Sequence, residues 1–320
     1  METIDSACRK LIPVLHRAMH KGDCGRIGVF GGCEEYTGAP YFAAATALKM
    51  GADISYLFCE KAAGHVIKTY SPELIVLPYL RSTNATNSNY SLADIQNKIV
   101  EMSKKIHAFS IGSGLGHDSN MQESMIGVLK HAKYNNIPTV LDADIIQSIA
   151  KNPELVYGKK NAILTPNVNE FKSLILELKL DNTLPTDQIV KNCALALGGV
   201  TIILKGENDI ISNGETILIC DELGGLKRCG GQGDILAGAT ATFLGWSVCY
   251  QQRRWNHDST VPTDKMPLLC AYAACKVIRI ASRLAFEAND FSTQPSDVLI
   301  MVPKSLKLAF ETKTMPHGCL

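Results

Sequence analysis

The sequence predicts an α/β protein: a central, mainly parallel sheet with helices on both faces, folded as a single domain. Three observations lead there. From Arg26 to Leu204, short β-rich apolar runs alternate with helical stretches, the order that produces parallel strands joined by crossover helices. The strand-like runs end in glycine, aspartate, proline or lysine, which end strands in turns or in polar side chains. Finally, 46% of the 320 residues are hydrophobic, ample for a large buried core.

Taken in order, Arg26–Gly31 reads as a buried strand entering the turn Gly31-Gly32, and Ala39-Pro40 opens an alanine-rich helix to Met50, with proline where a helix tolerates it. Strand Asp53–Cys59, a short helix Lys61–Lys68 and strand Glu73–Leu77 follow, and then a polar loop over Arg81–Asn89. Helix Leu92–Lys104 leads to strand Ile106–Ile111 and the turn Gly112–Gly116. A helix capped by Ser119 runs to about Tyr134, followed by strand Pro138–Asp142, a short helix from Asp144 and strand Ala162–Thr165. Helices Asn169–Leu178 and Thr186–Leu197 precede strand Val200–Leu204. Asn213-Gly214 between two short apolar runs marks a hairpin over Asp209–Cys220. Beyond it the chain is helical over Ile235–Leu244 and Pro267–Ala288, with a last short helix from about Ser296. The polar stretch Gln251–Lys265 reads as an exposed insertion, and the folded core as residues 10–305.

Composition narrows the function. A formal charge of +1 gives no electrostatic reason to expect nucleic acid or an anionic membrane as partner, and no apolar run approaches the ~20 residues that span a bilayer. Eleven cysteines without a C-x-x-C pair point to a reducing compartment rather than a disulfide framework or a zinc site. The acidic, leaderless start Met1–Cys8 makes the cytoplasm the expected location, with a mitochondrial pool left open. Asn84-Ala-Thr and Asn89-Tyr-Ser then read as chance matches to a glycosylation acceptor.

In open α/β sheets ligands bind beyond the C-terminal strand ends, which puts Gly31-Gly32, Gly112–Gly116, Asp142–Asp144, Thr165–Glu170 and Lys205-Gly206 on one rim. The densest signal joins them there: five glycines between Gly224 and Gly233, then Asp234 opening a small-residue helix. Glycines and a helix start turn backbone N–H groups towards one point and make an anion pocket, for phosphate or for charge developing in phosphoryl transfer. Asp234 fits a helix cap and a general base equally well. Asn167 and Glu170 suit a helix start, or a polar substrate and a water-bound Mg²⁺. Lys205 is a surface charge or a phosphate ligand. Asp142-Ala-Asp144 reads first as a buried strand-end acid and a cap. His65 and His117 read as surface histidines, Cys270 and Cys275 as core. Neither a Walker A motif nor a Gly-x-Ser-x-Gly elbow is present.

Five segments together resemble one family. Gly31-Gly-Cys-Glu-Glu-Tyr-Thr-Gly-Ala-Pro40, Ile67-Lys-Thr-Tyr-Ser-Pro-Glu-Leu74, Gly112-Ser-Gly-Leu-Gly116, Leu164-Thr-Pro-Asn-Val-Asn-Glu-Phe171 and Gly230-Gly-Gln-Gly-Asp234 are similar, in order, to the eukaryotic ATP-dependent NAD(P)H-hydrate dehydratases of the ribokinase-like superfamily. The resemblance implies ATP as co-substrate, Mg²⁺ as cofactor, and the S epimers of hydrated NADH and NADPH as substrates. It implies Asp234 as base, with the N–H groups of Gly231 and Gly233 stabilising charge. Substrate would contact Gly116, Asn167, Val168, Asn169, Glu170, Phe171, Lys172 and Ser173 besides Asp234. ATP would contact Lys205, Gly206, Glu207, Asn208 and Asp209, and Gly224, Gly225, Leu226, Lys227, Arg228, Cys229, Gly230, Gly231, Gln232 and Gly233. Metal ligands and a homo-oligomer are left open. Two positions depart from the family pattern: Ser113, where proline is common, and Ile145, where glycine is common. Ile145 is expected to be bulky at the rim, so Asp142 and Asp144 receive no role. A kinase acting on a hydroxymethyl heterocycle and a non-catalytic nucleotide sensor are the alternative readings.

Overall fold

The computed structural model describes residues 3–84 and 91–310; most of the polar loop after Arg81, with the acceptor-like Asn89, lies outside the described residues. The chain opens with a helix not expected from sequence, α1 (Ile4–Lys10), whose start is capped by the Thr3 hydroxyl accepting from the Ser6 amide. Then come β1 (Arg26–Phe30), α2 (Gly38–Met50), β2 (Ile54–Glu60), α3 (Lys61–Ile67) and β3 (Ile75–Leu80). The middle of the chain contributes α4 (Leu92–Ser103), β4 (Ala108–Ile111), α5 (Ser119–Tyr134), β5 (Thr139–Leu141), α6 (Asp144–Lys151) and β6 (Ala162–Leu164). After α7 (Val168–Glu177), α8 (Thr186–Ala196) and β7 (Thr201–Leu204), the hairpin β8 (Asp209–Ser212) and β9 (Ile217–Cys220) completes the sheet. Helices α9 (Gln232–Gln251), α10 (Met266–Asn289) and α11 (Pro295–Phe310) close the fold.

All nine strands form one sheet in the order β3-β2-β1-β4-β5-β6-β7-β8-β9. The pairs from β3 through β7 are parallel, and the β7–β8 and β8–β9 pairs are antiparallel, so β8 alone of the nine strands runs against the rest. From β1 the chain builds outward to β2 and β3, then returns to lay β4 on the other side of β1. That reversal is the point at which such sheets open a crevice for ligands.

Side chains alternate between two cores, as the period of a strand requires. Ile27, Val29, Leu57, Ala108, Val140, Ile163 and Ile203 face one core with α2, α9, α10 and α11. Phe30, Phe58, Phe109, Ile111, Leu141, Leu164 and Ile202 face the other, with α4 to α8. Ile145 belongs to this second core and is fully buried, which corrects its expected place on the rim. Ala143, at φ +52°, precedes α6, and Ile145 lies behind Gly112.

Helix α9 is buried along most of its length, as an all-round apolar helix must be. It begins three residues earlier and ends later than its apolar run predicts. It approaches α2 so closely that a Cβ on Gly238 would stand 2.2 Å from the Ala43 carbonyl oxygen. The last helix is also longer than expected, sixteen residues. The polar stretch after α9 is anchored: Trp255 and Val261 are buried, and His257 stacks on Tyr250 with ring centroids 3.6 Å apart. Ten described cysteines are unpaired and only Cys229 is not buried. Among the described residues no helix is long and apolar enough to cross a membrane.

Candidate active site

Strand register sets the floor of the site. Phe30, Ile111, Leu141, Leu164 and Ile202 pair in one row across β1, β4, β5, β6 and β7. The residues that follow them, among them Gly31, Gly112, Asp142 and Thr165, therefore leave the sheet at one level. Glycine is needed at Gly112, with φ +123° and a hypothetical Cβ only 1.9 Å from the Asp142 carbonyl oxygen.

Asp142 is the buried acid of this row, 2% exposed. Its Oδ1 accepts from the Thr165 hydroxyl at 2.6 Å and from Lys205 Nζ at 3.0 Å. Lys205 extends from the end of β7, and a Cβ on Gly233 would lie 3.3 Å from its Nζ. The ammonium thus sits between Asp142 and the first turn of α9. Burial works against its charge, but the Asp142 and Glu170 carboxylates prevail and hold it above the ordinary lysine value.

Gly231, at φ +95°, is the N-cap of α9 and offers no side chain. Asp234 is the third residue of the helix, so it is not the cap that its position in sequence allows. Burial pushes its carboxyl up to about 7, with the Asp142 charge adding to the rise, while Ser113 and Lys205 oppose it. A carboxylate with that value, next to unpaired N–H groups at a helix start, has the properties of a general base beside an anion site.

These groups border one cavity of about 560 Å³. Of the residues proposed for ATP, Lys205, Gly206, Glu207, Asp209, Gly224 and the run Arg228–Gly233 line it. Asn208, Leu226 and Lys227 lie exposed outside it, and Gly225 is buried with its amide donating to the Ser282 hydroxyl. Of the substrate residues, Asn167 and Asp234 line the cavity. Asn167 caps α7, accepting from the amides of Asn169 and Glu170, while Glu170 accepts from the Asn167 amide. Capping occupies Oδ1 and the backbone N–H of Asn167, and its side-chain Nδ2 is the group left to face a ligand. Val168, Asn169, Lys172 and Ser173 are exposed on α7, whereas Phe171 is core. Gly116 sits further along the rim, its amide donating to Asp144 Oδ2 at 2.9 Å.

Comparison with known proteins bears on this site. Residues 27–304 match the family profile described as NAD(P)H-hydrate dehydratase. The chain is 43% identical over 305 residues to the ATP-dependent (S)-NAD(P)H-hydrate dehydratase of Schizosaccharomyces pombe, covering 95% of this chain and 92% of that protein. It is 40% identical over 315 residues to the Homo sapiens protein of the same name, covering 98% and 86%. This chain belongs to the NAD(P)H-hydrate dehydratase family. Its fold is ribokinase-like. It is shared with the Bacillus subtilis ADP/ATP-dependent NAD(P)H-hydrate dehydratase co-crystallised with ATP/Mg²⁺, at a TM-score of 0.65 and 19% identity, covering 96% of this chain and 97% of that one.

Against the pattern of this dehydratase family, the two departures have different weight. The Ser113 hydroxyl is buried beside Asp234, where it opposes the rise of that carboxyl. Ile145 does not reach the rim, and so gives no reason to set Asp142 and Asp144 aside. Sequence reasoning also missed Arg279, Ile278 and Ser282, which line the cavity from α10. The available signal was a pair of arginines, Arg279 and Arg283, one turn apart in a largely apolar helix.

Proposed function

We propose that this chain is an ATP-dependent (S)-NAD(P)H-hydrate dehydratase, restoring NADH and NADPH from their C6-hydrated forms. The observation that carries the reading is the position of Asp234 at the start of α9, in one cavity with Lys205 and Asn167. Asp234 takes the proton of the C6 hydroxyl as its oxygen attacks the γ-phosphorus of ATP, the bond from that phosphorus to the β–γ bridging oxygen breaks, and ADP leaves. The N–H groups of Gly231 and Gly233, with the Lys205 ammonium, balance charge on the moving phosphoryl group. The ring nitrogen then expels phosphate from C6, and loss of a C5 proton forms the C5=C6 double bond. Hydroxide is a poor leaving group and phosphate a good one, which is what ATP contributes.

Mg²⁺ fits this site as a passenger of the nucleotide. No cluster of three potential ligands occurs among the described residues, and magnesium characteristically binds through phosphates, water and one or two carboxylates. Asp142 in the cavity wall and Glu170 beside Asn167 are carboxylates that would hold the ion, which would neutralise phosphate charge there. Free, mostly buried thiols support a reducing compartment, and we assign the enzyme to the cytosol.

The test is to mix the protein with hydrated NADH, ATP and Mg²⁺ and follow the reduced-nicotinamide absorbance together with ADP. Return of the absorbance in step with ADP is expected. A stable phosphorylated product with no return of absorbance would refute dehydration and leave a kinase.

A further inference from the structure

Two segments of separate elements flank the nucleotide side of the cavity, the turn 206–209 between β7 and β8, which lines it at Gly206, Glu207 and Asp209, and the stretch 222–225 after β9, which lines it at Gly224. One side chain joins them. Arg279 of α10 donates through Nε to Asp209 Oδ2 at 2.7 Å, through Nη1 to the Glu207 carbonyl at 2.7 Å and the Glu222 carbonyl at 3.2 Å, and through Nη2 to the Gly206 carbonyl at 2.9 Å. The other oxygen of Asp209 accepts from the Gly206 amide at 3.1 Å, so the turn closes on the same ion pair. Arginine and aspartate are 12% and 9% exposed, and a buried, charge-assisted set of this kind has one low-energy geometry.

We propose that Arg279 is the positioning residue of the nucleotide site, holding both segments in the register that receives ATP. The proposal rests on the nucleotide reading of this cavity and goes beyond it, because no family motif carried onto the sequence includes α10. The physical route is direct. Peptide units are planar, with C=O and N–H antiparallel. Fixing the carbonyls of Gly206, Glu207 and Glu222 therefore fixes the directions of the Glu207, Asn208 and Leu223 N–H groups. Arg283, one turn further, bonds the Glu222 carboxylate and the Leu223 carbonyl but does not reach the 206–209 turn. Lysine cannot replace Arg279, since its single ammonium cannot satisfy acceptors spread around a planar fork.

Calorimetric ADP binding, which needs no nicotinamide substrate, is measured on wild type, Arg279→Lys and Arg279→Met, with steady-state kinetics alongside. The expected result is a rise in Kd for ADP and in KM for ATP on the order of tenfold in both variants, while KM for hydrated NADH and kcat at saturating ATP stay near wild type. Unchanged Kd in the folded variants overturns the proposal. So does a loss of kcat at unchanged KM for ATP, which would mean that Arg279 only supports the fold. Should Arg279→Met not fold, Arg279→Lys, which keeps the charge, decides alone. If wild type itself fails to bind ADP, the nucleotide reading fails first and this proposal falls with it.

Discussion

Lys205 and Asp142 form an ion pair beneath the proposed phosphoryl path, Nζ to Oδ1 at 3.0 Å, with the aspartate side chain 3% exposed and the lysine 22%. The two ends are unequal. Lysine still reaches the cavity, whereas among the described residues the Asp142 carboxylate has Lys205 and the Thr165 hydroxyl to offset its burial.

The inequality predicts a non-additive stability. Lys205→Met leaves a buried carboxylate without its cation, which costs about 3–5 kcal/mol. Adding Asp142→Asn removes that charge, and the double variant should recover much of the loss. Urea unfolding of the four proteins checks this; a double variant less stable than Lys205→Met would show the pair is not the relevant unit.

Asp234 should dominate the pH dependence of turnover. The base must be ionised, so kcat is expected to fall as pH drops through about 7. Asp142→Asn removes one cause of that elevated value, and the acid limb should move to lower pH. An acid limb that stays in place would separate it from Asp234. Asp234→Asn should lower kcat on the order of 10³-fold while ADP affinity changes little.

The same carboxyl predicts a stability effect of opposite sense. Its native value lies above that of an unfolded chain, so the native state binds the proton more tightly. That stabilisation is complete below ~4 and lost as pH rises through about 7. Asp234→Asn should therefore melt above wild type at pH 8, with the gap closing at acid pH. Thermal scans at several pH values test it, and an equal gap at every pH would contradict it.

Gly238 offers a packing test away from the chemistry. Its missing Cβ would meet the Ala43 carbonyl at 2.2 Å, so Gly238→Ala must separate α2 from α9. The expected cost is about 1–3 kcal/mol in denaturant unfolding, accompanied by a lower kcat because Asp234 lies one turn earlier on the same helix.

Legibility in the sequence followed how local each cause was. The sheet was readable because strand and helix periods differ, and β8–β9 because Asn213-Gly214 fixes its turn. Asp234 stayed ambiguous because sequence spacing does not tell a cap from the third helical residue; the positive φ of Gly231 settles that. Asp142 was set aside on account of Ile145, whose inward direction is fixed by the start of α6 rather than by any neighbouring residue type. Arg279 was invisible because its partners, Gly206, Glu207, Asp209 and Glu222, come to it only through tertiary folding. Helix α1 was missed for a related reason: it is seven residues long and is held by contacts such as Cys8 Sγ to the Leu269 carbonyl.

The paired row from Phe30 to Ile202 also decides where this protein can be edited. Adding or deleting a residue within β4, β5 or β6 would invert side chains between the cores and shift Gly112, Asp142 or Thr165 off level with its neighbours. Lengthening the connections beyond the rim disturbs no such alignment. New acceptor alcohols would thus be accommodated by remodelling the outer connections over an unaltered floor.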